Sequence, residues 1–212
     1  MAGKRTYNDR CGVARALDVV GERWALLVVR DLLLGPKRFT DLRAGLPHVS
    51  PDVLSQRLRD LEETGIVRKA KLPPPASARV YELTERGQQL QPVVVELGRW
   101  GSQEPFPDEE AQLRPDSAVI ALITLFDPAA ADGRDETYEL RLDDQPFRLR
   151  VAGGRLEAAR GGADRPDAVI ATDPATLSQV LWHGGKLSQI TVEGDRDAAK
   201  RFVKLFPLPT GG

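Results

Sequence analysis

Apolar residues recur at helical spacing through the first half of the chain, and this periodicity predicts four helices before any strand. The second helix is almost wholly apolar, which is typical of a helix that is buried on most sides. Glycine or proline interrupts the pattern after each of the first two helices. The four predicted helices cover residues 11–20, 24–34, 39–47 and 50–64.

The fourth predicted helix has one apolar face and one polar face. Ser50 suits the N-cap, Pro51 fits the first helical position, and Gly65 supplies a left-handed stop. Taken alone, this division also fits a plain surface helix with a solvated face. The apolar stripe, at i, i+4 and i+7, consists of Leu54, Leu58 and Leu61. The polar face, which can hydrogen-bond to phosphates and base edges, consists of Asp52, Ser55, Gln56 and Arg59.

Two strand-like runs follow the fourth helix directly, over residues 66–72 and 78–83. Residues 73–77 separate them and hold three consecutive prolines, which stiffen the tip. A helical pattern then resumes over residues 84–100 despite one internal proline. A short helix, a turn, an amphipathic helix and a basic two-stranded ribbon follow the order of a winged helix-turn-helix.

The pattern changes after the first hundred residues. Residues 104–115 are polar and contain prolines, which is typical of a linker. Residues 119–126 form an apolar run whose type is ambiguous, and a helix is favoured because Asp116 and Ser117 cap it. Residues 147–151 alternate between apolar and polar side chains, which predicts a strand with one buried face. Strands are predicted over residues 137–142, 146–152, 155–160, 167–172 and 189–193, and helices over residues 174–182, capped by Asp173, and 195–206.

The composition, with 41% apolar and 29% charged residues, is that of a soluble globular protein. No run approaches the roughly 18 apolar residues of a membrane span, and the N-terminus lacks a secretory core, so we expect a cytoplasmic protein and no membrane partner. A single cysteine excludes a disulfide framework, and with only His48 and His183 besides, no metal and no cofactor are expected. The usual enzyme signatures are missing, so we do not expect an enzyme.

The formal net charge of −1 conceals an asymmetry between the two halves of the chain. Residues 1–103 hold 17 lysines and arginines and 12 acidic residues, whereas residues 104–212 hold 13 and 19. A basic half joined to an acidic half indicates that only the first half faces a polyanion. Ordinary compositional scatter is the alternative.

Five spaced motifs mark the first half, over residues 11–24, 26–35, 38–42, 54–61 and 81–87. The last two read Leu54-Ser-Gln-Arg-Leu-Arg-Asp-Leu61 and Tyr81-Glu-Leu-Thr-Glu-Arg-Gly87. Together they resemble the HxlR family of winged-helix transcriptional regulators, over about residues 7–101. The resemblance implies a homodimer whose two fourth helices enter successive major grooves of a pseudo-palindromic, double-stranded DNA operator. Each wing, which is the two-stranded ribbon over residues 66–83, would reach the flanking DNA backbone or the minor groove.

The same resemblance implies DNA contacts from three places. Gln56 would pair bidentately with adenine, and Arg59 with guanine or with a phosphate. For each cation, a solvated surface charge is the alternative. The candidates are Ser50, Asp52, Ser55, Gln56 and Arg59 on the fourth helix, Lys37 and Arg38 at the start of the third, and Lys69, Lys71, Ser77 and Arg79 in the wing.

Cys11 is a redox candidate, because relatives that sense oxidants or electrophiles place a reactive cysteine there. A thiolate near a helix N-terminus and near Arg10 or Arg15 would have a lowered pKa. An inert buried thiol is the alternative.

Motifs in the second half, over residues 138–142, 147–156, 166–177 and 192–206, are similar to sterol carrier protein-like domains. The similarity covers about residues 116–208 and implies helices over a mostly antiparallel sheet that encloses an apolar tunnel. Such a tunnel would take an apolar, lipid-like small-molecule effector. Plain core packing is the alternative for each candidate lining residue. The candidates are Phe126, Phe147, Leu177, Leu181, Trp182, Phe202 and Phe206.

The sequence therefore predicts an α+β protein with a winged helix-turn-helix domain over residues 1–103, a linker over 104–115 and a ligand-binding domain over 116–212. Its predicted function is that of a homodimeric repressor. Its effector would alter the spacing of the two fourth helices, which contact the DNA bases. Two alternatives stay open. One is a thiol-based regulator acting through Cys11, and the other is a small-molecule carrier that uses the helix-turn-helix for dimerisation.

Overall fold

The structure is a computed structural model that describes residues 6–73, 77–103 and 113–208. The chain divides into two units, Met1–Val94 and Val95–Gly212. Most of the predicted linker, residues 104–112, lies outside the described residues, as do residues 74–76 of the predicted wing tip.

The four helices predicted for the first unit are present in the predicted order, and the predicted ribbon follows them. The ribbon strands pair in antiparallel fashion, with Val67 opposite Leu83 and Lys71 opposite Arg79. The helices are α1 (Gly12–Val20), α2 (Ala25–Leu33), α3 (Phe39–Gly45) and α4 (Pro51–Glu63). They are followed by β1 (Val67–Lys71), β2 (Arg79–Leu83), α5 (Glu85–Gln88) and α6 (Gln91–Gly101), which crosses the division between the units.

Helix α2 is the centre of the first unit, as its apolar sequence predicts. Its residues Ala25, Val28, Val29 and Leu32 are buried. After α2 the chain forms an isolated β-bridge, in which Lys37 N–H donates to Tyr81 O at 3.0 Å and Tyr81 N–H donates to Lys37 O at 2.7 Å. The bridge ties the turn between α2 and α3 to the ribbon.

Helix α4 begins and ends where its sequence predicts. The Ser50 hydroxyl accepts a hydrogen bond from Val53 N–H at 3.3 Å, and Pro51 occupies the first turn. At the other end Gly65 has φ 70° and Ile66 N–H donates to Leu61 O at 2.9 Å, which completes a Schellman motif. The apolar stripe of Leu54, Leu58 and Leu61 is buried. The predicted cap and stripe are confirmed.

Residues 84–100 form two helices, α5 and α6, so the single helical run predicted there is corrected. Thr84 is the N-cap of α5, since its hydroxyl accepts from Gly87 N–H at 3.1 Å. A side chain at Gly87 would place its Cβ 2.2 Å from Ile66 O, so α5 is held closely against the chain that enters β1. Pro92 cannot donate to the preceding turn, and a new helix starts beside it.

The second unit contains a mixed five-stranded sheet within the described residues, in the order β5-β4-β3-β6-β7. Three pairings are antiparallel, and β3 with β6 is parallel. The strands are β3 (Glu136–Leu142), β4 (Gln145–Ala152), β5 (Arg155–Arg160), β6 (Ala168–Thr172) and β7 (Thr191–Gly194). The helices are α7 (Pro115–Leu125), α8 (Pro174–Trp182), capped by Asp173 as predicted, and α9 (Arg196–Lys204).

Two tight turns and the alternation of buried and exposed side chains explain how this sequence forms the sheet. Asp143 and Asp144 connect β3 to β4 with φ 49° and 62°, and Gly153 and Gly154 connect β4 to β5 with φ 55° and 70°. Positive φ at both turn residues is typical of type I′ hairpins. Every second residue of β4 is buried from position 147 onward, which confirms the predicted alternation. Helix α7 packs against β5, and α9 packs against β6 and β7.

Helix α7 confirms the helix predicted over the apolar run but not its predicted cap. The N-cap position is Arg114, which makes no side-chain capping bond, and Pro115 starts the helix. Asp116 lies in the first turn, where its carboxylate accepts a hydrogen bond from Arg160 of β5. Proline at the first helical position and an acidic group in the first turn suit the exposed N–H groups and dipole there.

Candidate nucleic-acid interface

The polar face of α4 lies opposite the buried leucine stripe. Asp52, Gln56 and Arg59 are exposed, and Ser55 is half-buried beside them. Ser50 is exposed as well, but its hydroxyl oxygen accepts the capping hydrogen bond. The structure therefore brings all five predicted residues of this helix to one accessible segment.

The side chains that would read bases are linked by hydrogen bonds within α4. Gln56 Nε2 donates to Asp60 Oδ1 at 2.8 Å, and Arg59 Nη2 donates to Gln56 Oε1 at 2.7 Å. The other Asp60 oxygen accepts from Arg57 Nη1 at 2.8 Å. Arg57 reaches Glu22 in the turn after α1, with Nη2 and Oε2 3.4 Å apart. We call these five residues the α4 network.

The two basic residues at the start of α3 lie in different surroundings. Arg38 is exposed. The Lys37 side chain is 6% exposed, and its Nζ lies 3.3 Å from a carboxylate oxygen of Asp31, which is itself 1% exposed. Arg30 donates to the same carboxylate at 2.8 Å. The Lys37 ammonium is therefore part of an internal ion pair that joins α2 to the start of α3.

The wing carries its basic residues on the surface. Lys71 and Arg79 are exposed at the outer end of the ribbon, with Ser77 beside them at φ 38°. Lys69 is exposed too, but its Nζ donates to Glu62 Oε2 of α4 at 2.7 Å. This hydrogen bond raises the pKa of Lys69 above its ordinary value. The ion pair links the wing to the last turn of α4.

Sequence reasoning missed two polar features of this unit. Asp60 lies four residues after Gln56 and three after Arg57, a spacing at which helical side chains meet, so the sequence contained a signal. The sequence showed Asp31 only as a charged residue within a mostly apolar helix. Its pairing with Lys37 depends on how the chain turns after α2.

Cys11 occupies the N-cap position of α1 and is exposed. The backbone N–H groups of Val13 and Ala14 lower the pKa of its thiol, because they stabilise the thiolate. The predicted helix N-terminus is present, and the thiol is accessible to reagents.

Apolar side chains are exposed along α1 and α6. Val13 and Leu17 of α1 are 68% and 41% exposed. On α6, Val93, Leu97 and Trp100 recur at i, i+4 and i+7 and are 50%, 48% and 65% exposed. A stripe of this size on a helix surface is typical of a protein interface.

The candidate lining residues of the second unit form part of its core. Phe202 and Phe206 are buried with their ring centroids 5.0 Å apart, and Phe126 lies 6.4 Å from Phe206. Trp182 is half-buried and its Nε1 donates to Phe206 O at 3.0 Å. Leu181 beside it is half-buried as well. The remaining two candidates, which are also buried, are Phe147 and Leu177.

Within the described ranges, no group of three histidine, cysteine, aspartate or glutamate side chains is placed to hold a metal ion. No helix found in the same residues combines the length and the apolar character needed to cross a bilayer.

The first unit, with its amphipathic helix α4 and basic ribbon, is a winged helix-turn-helix of the kind that binds DNA. The model of the HxlR-like helix-turn-helix family matches residues 19–108. The chain is 37% identical to the HTH-type transcriptional regulator YvaP of Bacillus subtilis over 89 residues, 42% of this chain and 82% of YvaP. It is 38% identical to YodB of the same species over 88 residues, 42% of this chain and 79% of YodB.

The chain therefore belongs to the HxlR-like family and is an HTH-type transcriptional regulator. The solved structure of the reduced form of YodB is 34% identical and covers 48% of this chain and 100% of that one, with a TM-score of 0.40. The family match covers residues 19–108, so it leaves most of the second unit without an assigned family.

Proposed function

We propose that this protein is a repressor that binds a specific double-stranded DNA operator by placing α4 in the major groove. The observation that carries the proposal is the exposure of Gln56 and Arg59 on the face of α4 opposite its buried leucines. Gln56 pairs with adenine, and Arg59 pairs with guanine or a phosphate. Asp52, Ser55 and Ser50 line the same segment.

The remaining proposed contacts hold the protein on the phosphate backbone. Arg38 is exposed at the N-terminus of α3, and Lys71, Ser77 and Arg79 are exposed at the outer end of the ribbon. Lys69 can reach DNA by exchanging Glu62 for a phosphate. Lys37 is left out of the proposed interface because its ammonium is buried beside Asp31.

A homodimer on a pseudo-palindromic operator is part of the proposal. Two reading helices on successive grooves need two copies of the chain. The exposed stripe of Val93, Leu97 and Trp100 on α6, and Val13 and Leu17 on α1, supply apolar surface for a second copy to cover.

Alanine at Gln56 or at Arg59 is expected to weaken operator binding about 10- to 100-fold, because each bidentate base contact contributes about 1 to 3 kcal/mol of discrimination. The operator is first enriched from a library of random double-stranded DNA, and affinities are then measured by gel shift. Gln89→Ala and Arg196→Ala, at exposed positions outside α4, serve as matched controls. Undiminished affinity in both α4 variants would contradict the assignment of Gln56 and Arg59 as DNA-contacting residues.

The salt dependence of the affinity for DNA distinguishes the proposed repressor from a small-molecule carrier that uses the helix-turn-helix for dimerisation. Phosphate neutralisation releases counterions, so each phosphate contact contributes a slope of about −0.9 to the plot of log affinity against log salt. A carrier would enrich no sequence from the library and would show no steep slope.

The proposed effector is an apolar, lipid-like small molecule bound in the second unit. Phe126, Phe202 and Phe206 form a continuous aromatic cluster, and half-buried Trp182 donates from Nε1 to Phe206 O beside it. Because the cluster is packed, an effector would enter by displacing side chains, and it must bind the two states of the protein with different affinity. Mass spectrometry of ligand that co-purifies with the intact protein, followed by titration into the protein–DNA complex, tests this step.

Thiol-based regulation through Cys11 is the second candidate function. We expect Cys11 to be alkylated by iodoacetamide with a pH midpoint below that of an ordinary thiol, because its lowered pKa keeps the thiolate populated to lower pH. The rate is measured across pH in the folded protein and in the same chain unfolded in urea. Equal midpoints in the two states would contradict the stabilisation by the N–H groups of α1.

The regulatory role needs a separate readout. If Cys11 is the sensor, Cys11→Ser abolishes the release of operator DNA by oxidant and leaves the response to an effector intact. If the variant still releases DNA on oxidation, Cys11 is not the sensor.

A further inference from the structure

We propose that Asp60 is a positioning residue for DNA recognition, which fixes the amide of Gln56 and, through it, the guanidinium of Arg59. The proposal rests on the proposed function of α4. It adds a residue that touches no base and nevertheless determines which base is preferred.

The first step is the orientation of the Gln56 amide. A carboxylate only accepts hydrogen bonds, so the Gln56 atom 2.8 Å from Asp60 Oδ1 must be the donor Nε2. The Oε1 atom then faces the other way, where Arg59 Nη2 donates to it at 2.7 Å. Asp60 therefore decides which end of the amide points toward Arg59.

The second step is the support of Asp60 itself. Its Oδ2 accepts from Arg57 Nη1 at 2.8 Å, and the Arg57 side chain is only 12% exposed. Arg57 also reaches Glu22 in the turn after α1, with Nη2 and Oε2 3.4 Å apart. A guanidinium held between two elements leaves the Asp60 carboxylate little freedom to turn.

The third step is what the Gln56 amide keeps available. Each end of the amide uses one hydrogen bond in the α4 network, so one Nε2 hydrogen and one Oε1 lone pair remain. A bidentate pair with adenine needs one donor and one acceptor. Since the amide is already oriented, less side-chain freedom is lost when the pair forms. Without Asp60 the amide can present either end, and the preference for one base relaxes.

The experiment compares base preference among variants of the full-length chain. Wild type, Asp60→Ala, Asp60→Asn and Glu63→Ala each select from a double-stranded DNA library with a random core, and affinities are measured for the enriched sequence and for its single-base variants. Glu63→Ala removes one negative charge from the exposed end of the same helix and controls for the change in general attraction to DNA. Circular dichroism and thermal unfolding verify that each variant is folded.

Asp60→Ala is expected to lower discrimination at the base pair read by Gln56 about three- to tenfold, the effect of one hydrogen bond. A base pair read by Arg59 shows a smaller loss, because Arg59 is held through Gln56, and the positions read by other residues stay unchanged. Asp60→Asn, which keeps the size of the side chain, gives a smaller loss in the same place. The double variant Gln56→Ala with Asp60→Ala discriminates no worse than Gln56→Ala alone, because Asp60 acts through the amide.

Three outcomes would overturn the proposal. Asp60→Ala could keep the wild-type base preference. It could lose preference equally at all positions, as a merely structural residue would, or Glu63→Ala could cause the same relaxation. A wild-type protein that enriches no sequence would overturn the proposed function itself, and this outcome is distinct from the other three.

Discussion

Replacing Asp31 by alanine is expected to lower the free energy of unfolding by about 3 to 5 kcal/mol, the usual effect of removing one partner from a buried ion pair. Asp31 is 1% exposed, and its carboxylate lies 3.3 Å from the Nζ atom of Lys37, which is also buried. The substitution leaves a positive charge without that carboxylate in a site closed to water. Denaturation in urea, followed by circular dichroism, measures the change.

Two controls identify the cause of that loss. Asp31→Ala combined with Lys37→Met removes both buried charges, leaving only the partly exposed Arg30, and is expected to recover much of the stability, since an apolar pair needs no counter-ion. Glu62→Ala breaks the exposed ion pair with Lys69 in the same unit and is expected to have an effect below about 1 kcal/mol. If Asp31→Ala proves no more harmful than Glu62→Ala, the buried pair contributes little to stability.

Replacing Phe202 by alanine is expected to destabilise the second unit by about 3 to 5 kcal/mol, because a buried aromatic ring leaves a cavity that its neighbours fill only in part. The Phe202 ring centroid lies 5.0 Å from the ring centroids of Tyr138 and of Phe206. The indole N–H resonance of Trp182, which bonds to Phe206 O, reports unfolding of this unit in denaturant. Val203→Ala, at a half-buried position on the same helix, is the matched control.

This measurement also bears on the proposed effector site. A loss near that of Val203→Ala would indicate that the Phe202 ring lines space already open to a ligand. The full loss would indicate that an effector has to displace a packed core.

Local periodicity predicted the helices of the first unit because the information lies within a few residues. The leucine stripe of α4 and its caps at Ser50 and Gly65 depend only on spacing and on residue type, and the structure has them as predicted. The division between α5 and α6 was missed although its signal is local: Pro92 interrupts the helical pattern, and the second helix starts beside it.

Long-range pairing was beyond the same reasoning. Alternation indicated the strands of the second unit, but nothing in it specifies that Tyr138 lies opposite Ala168 in a parallel pair. Likewise, residue type alone made Lys37 and Arg38 equal candidates for a phosphate contact, whereas the structure buries one and exposes the other. Burial of a charge depends on tertiary partners, so sequence spacing cannot distinguish the two.

The parallel pairing of β3 with β6 constrains the order in which the second unit assembles. Two-residue turns join β3 to β4 and β4 to β5, so these hairpins close short loops and can form early. The other edge of β3 stays open until the chain beyond β5 has returned to place β6 against it. An uncovered strand edge pairs readily with other chains, so we expect partly synthesised or partly refolded molecules to associate through β3.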